Sequence, residues 1–199
     1  MVAFVLTRVM AQRNIDLLSQ QAQNCRACEL SNSRTTVVFG SGSESPEVVV
    51  IGEAPGEAED LTGEPFVGRS GQLLERLIGE ELKKTRAEIY ITNVVKCRPP
   101  KNRDPKRDEI AACHDFLLRQ LELLEPHVIL SVGNFATRAV LNTKKGITEI
   151  HGTTQTSELS SAPVIPTFHP AAALRGGPRV VAMMREDLSV VRGILERAT

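Results

Sequence analysis

The sequence predicts an α/β fold, a three-layer α/β/α sandwich around a central, mainly parallel four-stranded sheet. Three observations predict it. Short apolar runs recur at residues 48–51 (VVVI), 89–95 (IYITNVV), 127–133 (HVILSVG) and 163–168 (PVIPTF), each of strand length. Between them lie stretches whose apolar residues step by three and four, as in helices with one buried face. Chemically capable residues stand at or just after the ends of these runs, at Gly52, Asn93, Asn134 and His169, so the carboxyl edge of the sheet is the expected ligand edge.

At 199 residues the chain fits a single domain, residues 1–199, with a sizeable core. Its 24 basic and 24 acidic residues cancel, so no global field steers it to nucleic acid and any such contact must come from local patches. The opening MVAFVLTRVM is apolar but interrupted by Arg8, with no basic leader and no small-residue cleavage site, which argues against a signal peptide. No apolar run approaches the roughly 20 residues that span a bilayer, so a soluble, cytoplasmic protein is expected. Four cysteines in such a chain point to metal ligands or free thiols before disulfides.

In order, residues 1–23 read as a helix with Val9, Ile15, Leu17 and Leu18 roughly on one side, running into Cys25-Arg26-Ala27-Cys28. The following TTVVFGSGSES reads as a short extended segment and a link to the first central strand. After Ile51, Gly52, Pro55 and Gly56 turn the backbone and are expected to expose Glu53, Glu57, Glu59 and Asp60. Ser70 is a candidate cap for a helix with a core face of Leu73, Leu74, Leu77 and Ile78. The second strand ends at Asn93 and Cys97, before the proline-rich CRPPKNRDP. Residues 107–124 are helical, with the stripe Ile110, Cys113, Leu117, Leu121, Leu124 turned inward, and Pro126 stops them. After the third strand Asn134 caps another helix, residues 143–162 form a polar loop or hairpin, and the fourth strand leads into His169-Pro170. A last helix from about Pro178 to Arg197 carries Val181, Met184, Leu188, Val191 and Leu195.

The chemistry-bearing motifs are read first on their residues. Cys-x-x-Cys is a chelate spacing that also serves redox chemistry. Cys97 and Cys113 are separated by 15 residues, which is not the paired pattern of a zinc ribbon, so a metal site and free thiols remain alternatives on spacing alone. Arg98, Lys101, Arg103, Lys106 and Arg107 face Asp104, Asp108 and Glu109 in the loop between them, a local basic excess suited to phosphate but also ordinary for a solvated loop. A histidine after a strand is more often a satisfied polar residue than a catalyst.

Taken together, the segment GEAPGEAED with TGEPFVGRSGQLL, the CRPP at Cys97, the four cysteines and HPAAALRGGPR at residues 169–179 resemble the motifs of the family 4, iron-sulfur, uracil-DNA glycosylases, over most of the chain from Cys25 to the last helix. The resemblance implies a [4Fe-4S] cluster on Cys25, Cys28, Cys97 and Cys113, a structural brace holding the N-terminal helix and the 97–113 loop on the sheet. It implies that Gly52, Ala54, Glu59, Phe66, Asn93 and His169 surround a flipped-out uracil. Phe66 would stack on the base and Asn93 bond its O4 and N3-H edge, with cytosine left mispaired at a cost of about 1–3 kcal/mol per unsatisfied group. Glu59 would crowd C5 and exclude the thymine methyl, and His169 would face O2, where charge gathers as the glycosidic bond breaks. Leu174 and Arg175 would fill the gap left in the DNA and grip phosphate. Ala54 stands where the best-known branch of the superfamily has aspartate, so Glu53 or Asn102 would orient the water. A related branch that captures uracil-DNA covalently has glutamine at the position of Glu53 and a histidine before the fourth cysteine; KNRDPKRDE contains none, so turnover is expected. The implied activity is uracil excision from DNA as a monomer in the cytoplasm, nucleoid-associated by function. The competing expectation is a non-catalytic iron-sulfur protein that binds nucleic acid or senses redox state.

Overall fold

The computed structural model describes residues 14–198, and the part of the N-terminal helix expected over residues 1–13, Val9 included, lies outside them. Within them, α1 covers 14–23 and is followed by β1 (Ser41–Gly42), β2 (Val48–Gly52), α2 (Glu57–Thr62), α3 (Arg69–Leu82), β3 (Tyr90–Asn93) and α4 (Arg107–Leu124). Then come β4 (Val128–Val132), α5 (Gly133–Leu141), α6 (Ile147–Ile150), β5 (Gln155–Ser157), β6 (Ser160–Thr167), α7 (Pro170–Gly176) and α8 (Pro178–Ala198).

The strands form one sheet in the order β1-β3-β2-β4-β6-β5. The four expected strands are its parallel centre, and the sheet has six rather than four because β1 and β5 add antiparallel edges to β3 and β6. The expected hairpin within 143–162 is the β5-β6 turn, preceded by the short helix α6. Side chains on β2 alternate between two cores, as strand geometry requires. Val49 and Ile51 pack with Leu18 of α1, Leu117 and Leu121 of α4 and Val140 of α5. Val48 and Val50 pack with Leu74 and Leu77 of α3 and Leu188 and Val191 of α8. Helices therefore cover both faces, and the central strands are buried along their length.

Local details depart from the expected pattern. Leu17 is 53% exposed, because Ile15 and Leu18 already fill the inward side of α1. Asp60 is 2% exposed, not solvated: its carboxylate accepts from the backbone of Thr35 and Thr36. The acid-rich loop contains α2, whose first turn Glu59 closes by accepting from Gly56 N at 3.1 Å. α3 begins at Arg69 behind Gly68, so Ser70 lies inside the first turn instead of capping it. Asn134 lies inside α5, and its Oδ1 accepts from Ile147 N at 2.7 Å, tying α5 to α6.

The chain leaves β2 for β3 on one side and then crosses to β4 on the other, which makes the carboxyl end of β2 the point where strand order reverses. Ligand crevices open at such points. Among the described residues no helix is long and apolar enough to cross a membrane.

Candidate active site and cysteine cavity

A cleft of about 890 Å³ opens at this edge, lined by Glu53, Ala54, Glu59, Phe66, Asn93, Asn102, His169, Leu174 and Arg175. Its residues come from the ends of β2, β3 and β6 and from the loops and helices that follow them. Gly52 lies beneath it. A Cβ there would sit 2.4 Å from Asn93 Oδ1 and 2.6 Å from Phe66 Cε2, so glycine is what lets the amide and the ring approach each other.

Asn93 is 2% exposed and ends β3, paired with Gly52 across the parallel ladder. Its backbone oxygen accepts from the wholly buried Lys96 Nζ at 2.7 Å, and Thr92 Oγ1 accepts a second bond from the same ammonium at 2.7 Å. Phe66 is 8% exposed and its ring centroid lies 6.0 Å from that of His169. The three residues expected to surround a planar base therefore share one cavity.

His169 precedes α7, and its Nδ1 accepts from Ala171 N at 3.1 Å. A ring nitrogen that accepts carries no proton, so the neutral ring holds its hydrogen on Nε2. Burial, and after it the Arg175 guanidinium, hold the imidazole below its ordinary pKa against the opposing pull of Glu59, which favours this neutral form.

Glu53 is pushed up to about 7 by burial and then by the neighbouring Asp104 carboxylate, placing its titration in the range a general base uses. Asn102 stands in a left-handed turn at φ 53° and its Oδ1 accepts from Arg98 Nε at 2.7 Å. Its remaining free end is an amide donor, so of the two candidates only Glu53 offers a basic oxygen. Glu59 reaches the cleft, but both its oxygens bond backbone amides: Oε1 accepts from Val67 and Gly68, and Oε2 from Gly56.

The basic loop is less available than its composition suggests. Arg103 grips buried Glu109 through both carboxylate oxygens, Arg98 is held by Asn102 and Glu57, and Lys106 pairs with Glu29. Lys101 and Arg107 are exposed, as are Leu174 and Arg175 on α7. Arg69, which sequence reasoning did not single out, also lines the cleft at the start of α3. Its signal was its place in GRSG, at the mouth of the helix following Phe66.

The four cysteines, from three distant segments, line a second cavity with Arg34, Lys96 and Phe116. None is in a disulfide. Arg34 Nη1 donates to Cys97 Sγ at 3.2 Å and Lys96 N donates to Cys113 Sγ at 3.3 Å. Burial pushes the Cys97 thiol up to about 11 and raises Cys113 as well. Lys96 is lowered to about 8 by burial, against the opposing pull of Cys113 and Cys97. Among the described residues no three His, Cys, Asp or Glu side chains are arranged to hold a single metal ion. Four sulfurs, two N-H donors aimed at them and a buried cation nonetheless suit an anionic, thiolate-held group larger than one ion.

A family model described as the uracil DNA glycosylase superfamily matches residues 39–189. The chain belongs to the uracil DNA glycosylase superfamily. Within it the chain is similar to a protein named type-4 uracil-DNA glycosylase from Saccharolobus solfataricus, 42% identical over 92% of this chain and 87% of that one. A relative of the same name from Thermotoga maritima is 41% identical, covering 92% of this chain and 95% of its own. A third, from Sulfurisphaera tokodaii, is 39% identical over 90% and 84%. The glycosylase family match begins at Phe39, so it spans the cleft-forming strands and Cys97 and Cys113 but leaves out Cys25 and Cys28.

Proposed function

We propose that the protein is a monofunctional uracil-DNA glycosylase that takes deoxyuridine out of the DNA stack, hydrolyses its N-glycosidic bond and leaves an abasic site. The observation that carries this reading is the meeting of Phe66, Asn93 and His169 in one cleft at the carboxyl edge of the sheet. The base stacks on Phe66. The Asn93 amide bonds O4 and N3-H, and its backbone is held from behind by Lys96. Neutral His169 donates Nε2-H to O2, where the electron pair of the breaking C1′–N1 bond accumulates, so uracil leaves as a stabilised anion. A water molecule adds to C1′ and its proton passes to the Glu53 carboxylate, with the Asn102 amide orienting that water. Leu174 and Arg175, exposed on α7, face the DNA gap and its phosphates.

Cys25, Cys28, Cys97 and Cys113 would hold a [4Fe-4S] cluster, as the donor set of four thiols with N-H donors to sulfur supports. When bound there, such a cluster would cross-link the turn after α1, the loop after β3 and α4 through these four cysteines. The competing reading, a non-catalytic iron-sulfur protein that binds nucleic acid or senses redox state with the same cysteines, is not favoured, because the relatives similar to this chain over most of its length are named uracil-DNA glycosylases. We further propose one domain over residues 1–199 acting as a monomer in the cytoplasm, at the nucleoid, since a single chain supplies the whole cleft.

The test is release of free uracil from a synthetic uracil-containing oligonucleotide by purified protein without added divalent metal. Uracil release with an abasic product is expected; intact oligonucleotide at stoichiometric enzyme would contradict it.

A further inference from the structure

Phe66 occupies the left-handed region at φ 53°, a conformation that an aromatic residue rarely holds unless its surroundings impose it. The imposing contacts are identifiable. On the amino side, Arg86 Nη2 donates to Pro65 O at 2.5 Å. On the carboxyl side, the next two amides, Val67 and Gly68, donate to Glu59 Oε1 at 3.0 and 3.1 Å. Behind the residue, a Cβ on Gly71 would come within 1.8 Å of Phe66 O, so α3 abuts the strained carbonyl with no room to relax. The second carboxylate oxygen of Glu59 accepts from Gly56 N, anchoring the clamp to the turn after β2.

We propose that Glu59 is a positioning residue for base selection that acts through Phe66: its carboxylate fixes the two amides after the ring and so keeps the ring in the pose on which uracil stacks. With both oxygens bonded to backbone amides, the carboxylate is built into the platform that carries the ring. This inference rests on the uracil reading and deepens it. It gives Glu59 a role as a support behind the stacking surface, distinct from the C5 guard that the family resemblance implies. Glutamine at this position keeps the length but places an amide donor where an acceptor is needed by Gly56 or by Val67 and Gly68.

A double-mutant cycle on uracil release tests it, using wild type, Glu59→Gln, Phe66→Leu and the double variant, each checked for a cooperative melt. Glu59→Gln is expected to raise KM about tenfold, within the range of one base-aromatic stack, with kcat nearly unchanged. The double variant is expected to be no worse than Phe66→Leu alone, because the clamp has no further route to the base. Losses that multiply, a Glu59→Gln enzyme with wild-type KM, or one that now releases thymine from DNA would each overturn the inference. Should Glu59→Gln fail to fold, Glu59→Asp serves: its carboxylate recedes from the amides, so a raised KM is expected and a wild-type KM overturns. A wild type that turns over while the losses multiply removes this inference alone; a wild type without uracil release removes the functional reading and this inference with it.

Discussion

His169 does two jobs with two nitrogens. Nδ1 accepts from Ala171 N and starts α7, leaving Nε2-H for the base. His169→Asn keeps an oxygen that can cap the helix but loses the far donor, so single-turnover excision should fall about 10²- to 10³-fold while the melting temperature stays close to wild type. A melt that collapses in step with the rate would make the residue structural. Glu53 gives a pH signature. Its folded pKa is raised to about 7, so the proton-accepting form grows as pH climbs through that value and the excision rate should rise with it. Glu53→Gln should be slow with a flattened profile. The same shift has a stability consequence of opposite sign. Between the ordinary carboxylate value of 4.5 and about 7 the folded state holds the proton that the unfolded state has lost, so stability contributed by neutral Glu53 is complete below that window and declines as pH rises across it. Asn93→Asp should relax selectivity towards cytosine, read as the ratio of cytosine to uracil release from matched oligonucleotides; strict uracil preference would argue against the amide's role.

The elements place these groups because parallel pairing fixes the strand ends side by side. β2, β3 and β6 deliver Gly52, Asn93 and His169 to one edge, and each strand was legible as an apolar run whose end could be read from the following glycine, asparagine or proline. The parts that escaped a sequence reading lack such a pattern. β1 has two residues and β5 three, and their pairing with β3 and β6, not their composition, makes them strands. α2 is six mostly polar residues closed by a bond from Gly56 N to Glu59, and the commitment of Glu59 is invisible in sequence because its partners are backbone amides. α4 was legible throughout, but not its anchor. Glu109, unexposed at the start of α4, accepts from Lys106 N and both arms of Arg103, and those bonds hold its pKa below the ordinary value. The depressed pKa means that this contribution is present above about 4.5 and is lost as pH falls below it. Glu109→Gln should cost about 1–3 kcal/mol in urea unfolding at neutral pH and remove that acid-side loss; unchanged unfolding would show the anchor to be dispensable.

At the scale of the molecule, Lys96 links the two cavities through Asn93, which lines the cleft. It lines the cysteine cavity, and its ammonium bonds the strand end carrying Asn93. The cysteines were legible as a set only through their resemblance to a known motif, since spacing alone left thiol and metal readings open; the fold brings all four to one cavity. Cys113→Ser should therefore lose bound iron and visible absorbance and melt at lower temperature, measured on the same sample. Iron content and melting equal to wild type would detach Cys113 from the brace. The central claim is that one base touches the Asn93 amide and the His169 ring at once, and a titration of free uracil followed by nitrogen NMR tests it most directly. The account predicts that the Asn93 side-chain amide and His169 Nε2 shift together with a single midpoint and that cytosine leaves both unmoved. Shifts at only one of the two, or an equal response to cytosine, would contradict it.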